Sequence, residues 1–96
     1  MSDQQTPAFR THNVTLDIWA ERAKQDAKWG EQNHHPFLYL NVLMEEVGEA
    51  SQAALQATFG GKEWSEYREE LVQAAAVAMA MIECYDRNGP PEATHE

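Results

Sequence analysis

The apolar segment from Leu71 to Ile82 is the feature of this 96-residue sequence that most restricts its fold. Gln73 is the only polar residue in the segment, so as a helix it would be apolar on nearly every side. A helix of this kind is buried on all sides in a stable protein. Because a short chain buries only a modest share of its surface, it can supply few neighbours for such a helix. We therefore expect a second copy of the chain to cover part of it.

Apolar periodicity and end signals predict three helices and no strand. The first helix spans residues 15–28, with Thr15 as the N-cap whose hydroxyl accepts from a free backbone amide. The second spans residues 36–58 and the third residues 65–88, with two glycines in the connection between them. The predicted apolar stripe of the first helix is Leu16, Trp19, Ala20, Ala23 and Ala27, and the predicted core stripe of the second is Leu40, Leu43, Met44, Val47, Ala50 and Ala54.

The predicted fold is an all-α domain over residues 14–88, with flexible tails at residues 1–13 and 89–96. A short glycine-rich turn joins helices two and three, so they should form an antiparallel hairpin to which the N-terminal helix is added. When two copies associate, helices two and three of both would form a four-helix-bundle core. The assembly is then a homodimer or a dimer of dimers.

The net charge of −9 and the pI near 4.7 limit the partners that this protein can have. A nucleic-acid backbone needs clustered Lys and Arg, and an anionic membrane surface needs basic residues too, so we expect neither partner. No apolar segment approaches the ~20 residues of a membrane span, and no signal-peptide pattern is present. The single cysteine, Cys84, cannot form an internal disulfide. These features predict a cytoplasmic protein.

Four oxygen-bearing side chains at helical spacing give the main functional signal. Glu46 and Glu49 share a face of helix two, and Glu70 and Gln73 share a face of helix three. In an antiparallel hairpin the middle of helix two lies beside the start of helix three, so the four side chains should converge. Converging carboxylates repel one another unless a proton or a cation neutralises them. Oxygen ligands without Cys or His favour Mg²⁺ or Mn²⁺, and the alternative for such acids is a solvated helix surface.

The segments that carry these acidic residues resemble those of small MazG-like proteins of the all-α nucleoside triphosphate pyrophosphohydrolase superfamily. Residues 43–50 read LMEEVGEA, similar to the family segment that carries its E-x-x-E metal motif. Residues 70–73 read ELVQ and correspond to the second motif, E-x-x-D. Residues 21–30 are similar to segments of phage and bacterial MazG-like chains, and the resemblance covers residues 14–87.

The resemblance implies Mg²⁺-dependent (or Mn²⁺-dependent) cleavage of a (deoxy)nucleoside triphosphate to a monophosphate and pyrophosphate. Glu46, Glu49 and Glu70 would hold the metal and serve catalysis, and one carboxylate or the metal would activate the attacking water. Gln73 would be a further metal ligand, although its uncharged amide stands where the family has Asp. The metal would also supply the positive charge that a protein of net charge −9 needs to receive a polyphosphate.

Four more residues are expected to bind the nucleotide. Trp29 would stack on the base, as an aromatic residue at this place does in the family, and Gln25 would hydrogen-bond a base edge. Lys28 and Arg68 would contact phosphate groups, in place of the basic residues that many relatives carry on a further helix. Lys62 and Arg87, from the same copy or from its partner, are the other candidates for this role. The alternative function is a catalytically degenerate helical dimer that binds a nucleotide or a protein partner, and the uncharged amide of Gln73 favours it.

Overall fold

Three helices make up the part of the chain that the computed structural model describes, residues 6–92. They are α1 (Pro7–Trp29), α2 (Pro36–Phe59) and α3 (Ser65–Asn88), and no strand occurs within these residues. The predicted all-α class is therefore confirmed, and the second and third helices have the predicted bounds to within one residue. Over the same residues, no helix combines the length and the apolar content that crossing a membrane requires.

The first helix begins at Pro7, eight residues before the predicted start. Thr6 is its N-cap: the Thr6 hydroxyl accepts from the Phe9 backbone N–H at 3.1 Å, and Pro7 occupies the first helical position. Thr15 is an interior residue of α1, and its hydroxyl donates to the Thr11 carbonyl at 2.8 Å. Residues 7–13 are thus helical, which corrects the prediction of a flexible tail there. Residues 1–5 and 93–96 of the predicted tails lie outside the described residues.

The third helix is the centre of the fold, because α1 and α2 each pack against α3 and not against one another within the described residues. Four of the seven buried residues of α2 and α3 are alanines, whose small side chains let helix backbones approach closely. Ala76 of α3 is completely buried. The other buried residues are Tyr39, Ala50 and Ala53 of α2 and Ala74, Val77 and Cys84 of α3.

The first helix docks on α3 through polar side chains, and its predicted apolar stripe faces solvent. Arg22 of α1 pairs with Glu83 of α3, and Arg68 of α3 pairs with Asp17 of α1 at 2.8 Å. No residue of α1 is buried, and Trp19 of the predicted stripe is 63% exposed. The periodicity therefore identifies an apolar face of α1, but this face is exposed to solvent. The ion pairs hold the opposite face of α1 against α3.

The second helix also keeps much of its predicted stripe outside the α2–α3 contact. Ala50 is buried as predicted, whereas Leu40, Met44 and Val47 are exposed and Tyr39 and Ala53 are buried in their stead. The reason is geometric: small residues at α2 positions 50 and 53 allow close helix packing, and the bulky stripe lies to one side of that contact line. The stripe is therefore left without a partner within one copy.

The described chain leaves an unusual amount of apolar surface open. Sixteen large apolar side chains are exposed within the described residues, including Leu71 and Ile82 at the two ends of the apolar segment of α3. The radius of gyration is 16.4 Å and the extents are 57 × 33 × 24 Å, whereas a compact chain of this length has a radius of about 12.5 Å. Extended apolar surface of this kind is typical of a protein that associates.

The connection between α1 and α2 is held against the end of α3 by a hydrogen-bond network centred on Asn33. The Asn33 Oδ1 atom accepts from Arg87 Nη2 at 2.9 Å and from Asn88 Nδ2 at 2.8 Å. The carbonyl of Gln32 accepts from Arg87 Nη2 and from the Tyr39 hydroxyl, both at 3.1 Å. The network fixes where α1 ends relative to α2, and hence the width of the space between them.

Replacing Thr6 by alanine should lower the free energy of unfolding by about 1 kcal/mol, because it removes the N-cap of α1. Thr15→Ala is the matched control: alanine is the better helix former inside a helix, so this change should cause no loss. Urea unfolding followed by circular dichroism measures both. A loss from Thr15→Ala with none from Thr6→Ala would place the helix start at Thr15.

Candidate metal centre

Three carboxylates converge where the middle of α2 packs against the first part of α3. Glu46 and Glu49 lie one turn apart on α2, and Glu70 reaches them from α3. One carboxylate oxygen from each of the three residues lies within 4.8 Å of the others. The structure therefore brings together three of the four side chains that the sequence places at a metal site, and we call them the carboxylate cluster.

Burial distinguishes the members of the carboxylate cluster. Glu46 and Glu70 are half-buried and Glu49 is exposed. Glu46 Oε1 and Glu70 Oε1 are buried atoms without a hydrogen-bond partner among residues 6–92. A buried acceptor left without a partner is unfavourable, and more so when it carries charge. The cluster thus presents two desolvated oxygens to a group that can supply positive charge or a proton.

The pKa values of the two half-buried acids are raised by this environment. Burial, and then the adjacent carboxylate of Glu49, raise the pKa of Glu70 to about 7. Burial also raises the pKa of Glu46, and the negative charges of Glu49 and then of Glu21 on α1 raise it further. Near neutral pH the protein therefore holds a proton within the cluster more readily than a solvated glutamate does.

Gln73, the fourth predicted ligand, lies one turn after Glu70 on the same side of α3. Its side chain is half-buried and lines the cavity that Glu46 also lines. Its amide oxygen could coordinate a cation but brings no charge. The donor set that the structure brings together is therefore the three carboxylates, with this neutral amide one turn from Glu70. Hard oxygen ligands of this kind fit Mg²⁺ or Mn²⁺.

A cavity of about 720 Å³ adjoins the cluster, in the space that α1 and α2 leave above α3. Three predicted nucleotide-binding residues, Gln25, Lys28 and Trp29, line it together with Glu46. The Lys28 ammonium lies 4.7 Å from the centroid of the Trp29 ring, a cation–π contact. One carboxylate of the cluster, that of Glu46, therefore lines the same cavity as an amide, an ammonium group and an aromatic ring of α1.

Arg68 is the predicted binding residue that the structure places elsewhere. Its guanidinium pairs with Asp17 at 2.8 Å, and Arg68 is not among the residues that line the cavity. The prediction of a phosphate contact is therefore not supported by its position. The physical reason is that the middle of α1, at Asp17, lies beside the first turn of α3, so that an acidic residue is available to the arginine.

Sequence reasoning missed several residues of the cavity, among them Glu21, Lys24 and Gln32. The signal was present for α1, because Glu21, Lys24, Gln25 and Lys28 recur at intervals of three or four residues and so share one face. Gln25 and Lys28 of this face were predicted to bind the nucleotide, whereas Glu21 and Lys24 were not.

Comparison with known proteins adds no further identification. No protein-family model, curated protein or solved structure matches the chain. Membership of the MazG-like family therefore stays a prediction, and the function has to be argued from the residues themselves.

Proposed function

We propose that this protein is a Mg²⁺-dependent pyrophosphohydrolase that cleaves a (deoxy)nucleoside triphosphate to a monophosphate and pyrophosphate. The observation that carries the proposal is the pair of buried oxygens without partners, Glu46 Oε1 and Glu70 Oε1. Leaving each unsatisfied costs roughly 1–3 kcal/mol, and more when charged. A divalent cation held by Glu46, Glu49 and Glu70, with Gln73 beside them, removes that cost.

The charge of the protein supports the same function. A chain of net charge −9 repels a polyphosphate unless a cation intervenes. When bound at the cluster, Mg²⁺ would supply that positive charge, polarise a phosphoryl oxygen and lower the pKa of a bound water. Glu49 is the exposed member of the cluster, so among the three carboxylates it is the one best placed to take a proton from water and pass it to solvent.

The adjoining cavity supports a nucleotide as the substrate. Its volume of about 720 Å³ lies within the range of small-molecule sites, about 300–1,000 Å³. Trp29 offers an aromatic ring, and the half-buried amide of Gln25 offers both a donor and an acceptor. In this proposal the base and sugar lie in the cavity, and the phosphates point toward the carboxylate cluster.

The proposed assembly is a dimer with α2 and α3 of both copies in its core, either alone or as half of a dimer of dimers. On α2 the exposed Leu40 and Met44 lie about 140–180° around the helix axis from Glu49. On α3 Leu71 and Ile82 belong to one face and are also exposed. Association through these faces would cover apolar surface and leave the carboxylate cluster open to substrate, in a cytoplasmic enzyme.

A second candidate function is a degenerate helical dimer that binds a nucleotide, or a protein partner, without turnover. The observation that favours it is Gln73, which lines the cavity with an uncharged amide beside Glu46. A site with one carboxylate fewer holds a divalent cation more weakly, because affinity for Mg²⁺ depends on the charge of its ligands.

Replacing Glu49 by glutamine should reduce pyrophosphate release from nucleoside triphosphates by at least about 100-fold, because it removes a ligand charge and a proton acceptor. Glu45→Gln is the matched control, since Glu45 is the exposed neighbour outside the cluster. Product release is measured with Mg²⁺ and with Mn²⁺ across common and modified nucleotides. If the wild-type protein binds nucleotide but releases no pyrophosphate, the result would favour the second candidate function, binding without turnover.

Without metal, the protein should become less stable as the pH rises from about 4.5 to about 7. The folded-state pKa of Glu70 is about 7, above its ordinary 4.5, so the folded state holds the proton more tightly, and this stabilisation is lost as the proton leaves. Glu70→Gln should therefore raise the unfolding temperature at pH 8 in chelator. Mg²⁺ should raise it for the wild type and not for Glu70→Gln. Identical pH dependence in both proteins would contradict the proposed electrostatics.

The dimer is tested by sedimentation equilibrium at micromolar concentration. The wild type should have two or four times the 10.9 kDa mass of the chain, as a dimer or a dimer of dimers. Met44→Glu, which places a charge in the proposed interface, should weaken association by at least about tenfold. Gln52→Glu adds the same charge at an exposed position outside the apolar stripe and should leave association unchanged. A monomeric wild type would refute the four-helix core.

A further inference from the structure

The phosphates of the proposed substrate need cationic side chains as well as a metal, and most of the arginines of this chain are engaged elsewhere. Arg22 pairs with Asp26 and Glu83, and Arg68 pairs with Asp17. Arg87 pairs with Glu31 at 3.2 Å and holds the connection between α1 and α2. These three guanidinium groups hold the helices in place, and none of them lines the cavity beside the carboxylate cluster.

Two lysines of α1 do line that cavity. Lys24 and Lys28 lie one helical turn apart in the same wall, and Glu46 and Gln73 also line the cavity. Their separation along the helix axis is about 6 Å, comparable to the length of a di- or triphosphate. The cavity thus has ammonium groups contributed by α1 and carboxylate oxygens contributed by α2.

The two ammonium groups keep donors available for a ligand. The Lys28 ammonium lies over the Trp29 ring at 4.7 Å from its centroid, a contact that orients the charge without using an N–H···O bond. Lys24 Nζ lies 3.6 Å from Glu21 Oε1, too far for a good hydrogen bond, and its side chain is 78% exposed. An ammonium group has three donors, so both lysines can bind phosphate oxygens.

We propose that Lys24 and Lys28 form an anion subsite for the phosphate groups of the substrate, across the cavity from the carboxylate cluster. This inference rests on the proposed function, and it replaces Arg68 by Lys24 as the second cationic contact. The phosphate chain then lies between α1 and α2. The nucleotide is held by cations on both sides: the metal at the cluster and the two ammonium groups on α1.

The test compares binding of inorganic pyrophosphate, in the presence of Mg²⁺, to the wild type and to Lys24→Met, Lys28→Met and the double variant by titration calorimetry. Each single change should weaken binding about two- to fivefold at low ionic strength, as expected for exposed charge contacts. In the double variant the fold-loss of affinity should be about the product of the two single losses. Its pyrophosphate affinity should also depend less on salt concentration than that of the wild type. Mg²⁺ alone should bind all four proteins equally. Lys24→Arg and Lys28→Arg should retain affinity, which separates charge from packing.

Lys62→Met is the matched control, because Lys62 lies in the connection between α2 and α3 and does not line the cavity. Its affinity for pyrophosphate should equal that of the wild type. Unchanged affinity in the double variant, an equal loss in Lys62→Met, or no pyrophosphate binding by the wild type would each overturn the subsite. Hydrolysis with an unchanged KM in the double variant would overturn the subsite and leave the proposed function standing. Pyrophosphate binding that depends on the two lysines, without any hydrolysis of nucleotides, would support the subsite and overturn the proposed function.

Discussion

Close packing of α2 on α3 through alanine is the contact on which the candidate site depends. Ala50 and Ala53 of α2 and Ala74 of α3 are buried between the two helices. Because their side chains are small, the helix axes can approach closely enough for Glu70 to reach the carboxylates of α2. Larger residues at this contact would separate the helices, and the three acids would become ordinary solvated side chains. The same contact buries one oxygen each of Glu46 and Glu70, so packing and electrostatics oppose each other at this point.

That opposition is a familiar property of functional sites, where a protein retains an arrangement that its own stability disfavours. Desolvation and the neighbouring carboxylate raise the pKa of Glu70 to about 7, and burial raises that of Glu46 as well. Two acids on adjacent helices that served only solubility would gain from facing water, as Glu45 and Glu69 do. The proposed cation would turn this unfavourable arrangement into a favourable one, because the charges that repel one another would all attract it.

Sequence patterns predicted the α2–α3 hairpin better than they predicted α1. The reason is that the hairpin depends on local signals, whereas the position of α1 depends on contacts between residues far apart in the sequence. The bounds of α2 and α3 follow from local signals such as Pro36 and the glycines after each helix, and the convergence of Glu46, Glu49 and Glu70 follows from helical spacing. The docking face of α1 depends instead on pairs distant in the sequence, such as Arg22 with Glu83. Apolar periodicity identifies an apolar face but not the surface that covers it. Lys24 and Arg68 were misjudged for the same reason, since helical spacing does not say which surface faces the cavity.

The division of the molecule into two surfaces explains how so short a chain can have both a core and a site. On the cavity side, α1 stands away from α2 and is held by ion pairs and by the Asn33 network, which leaves room for a ligand between them. On the other side, the exposed apolar stripes of α2 and α3 lack a partner within one copy. Burying them against a second copy, as in the proposed dimer, would cover the stripes and leave the cavity open.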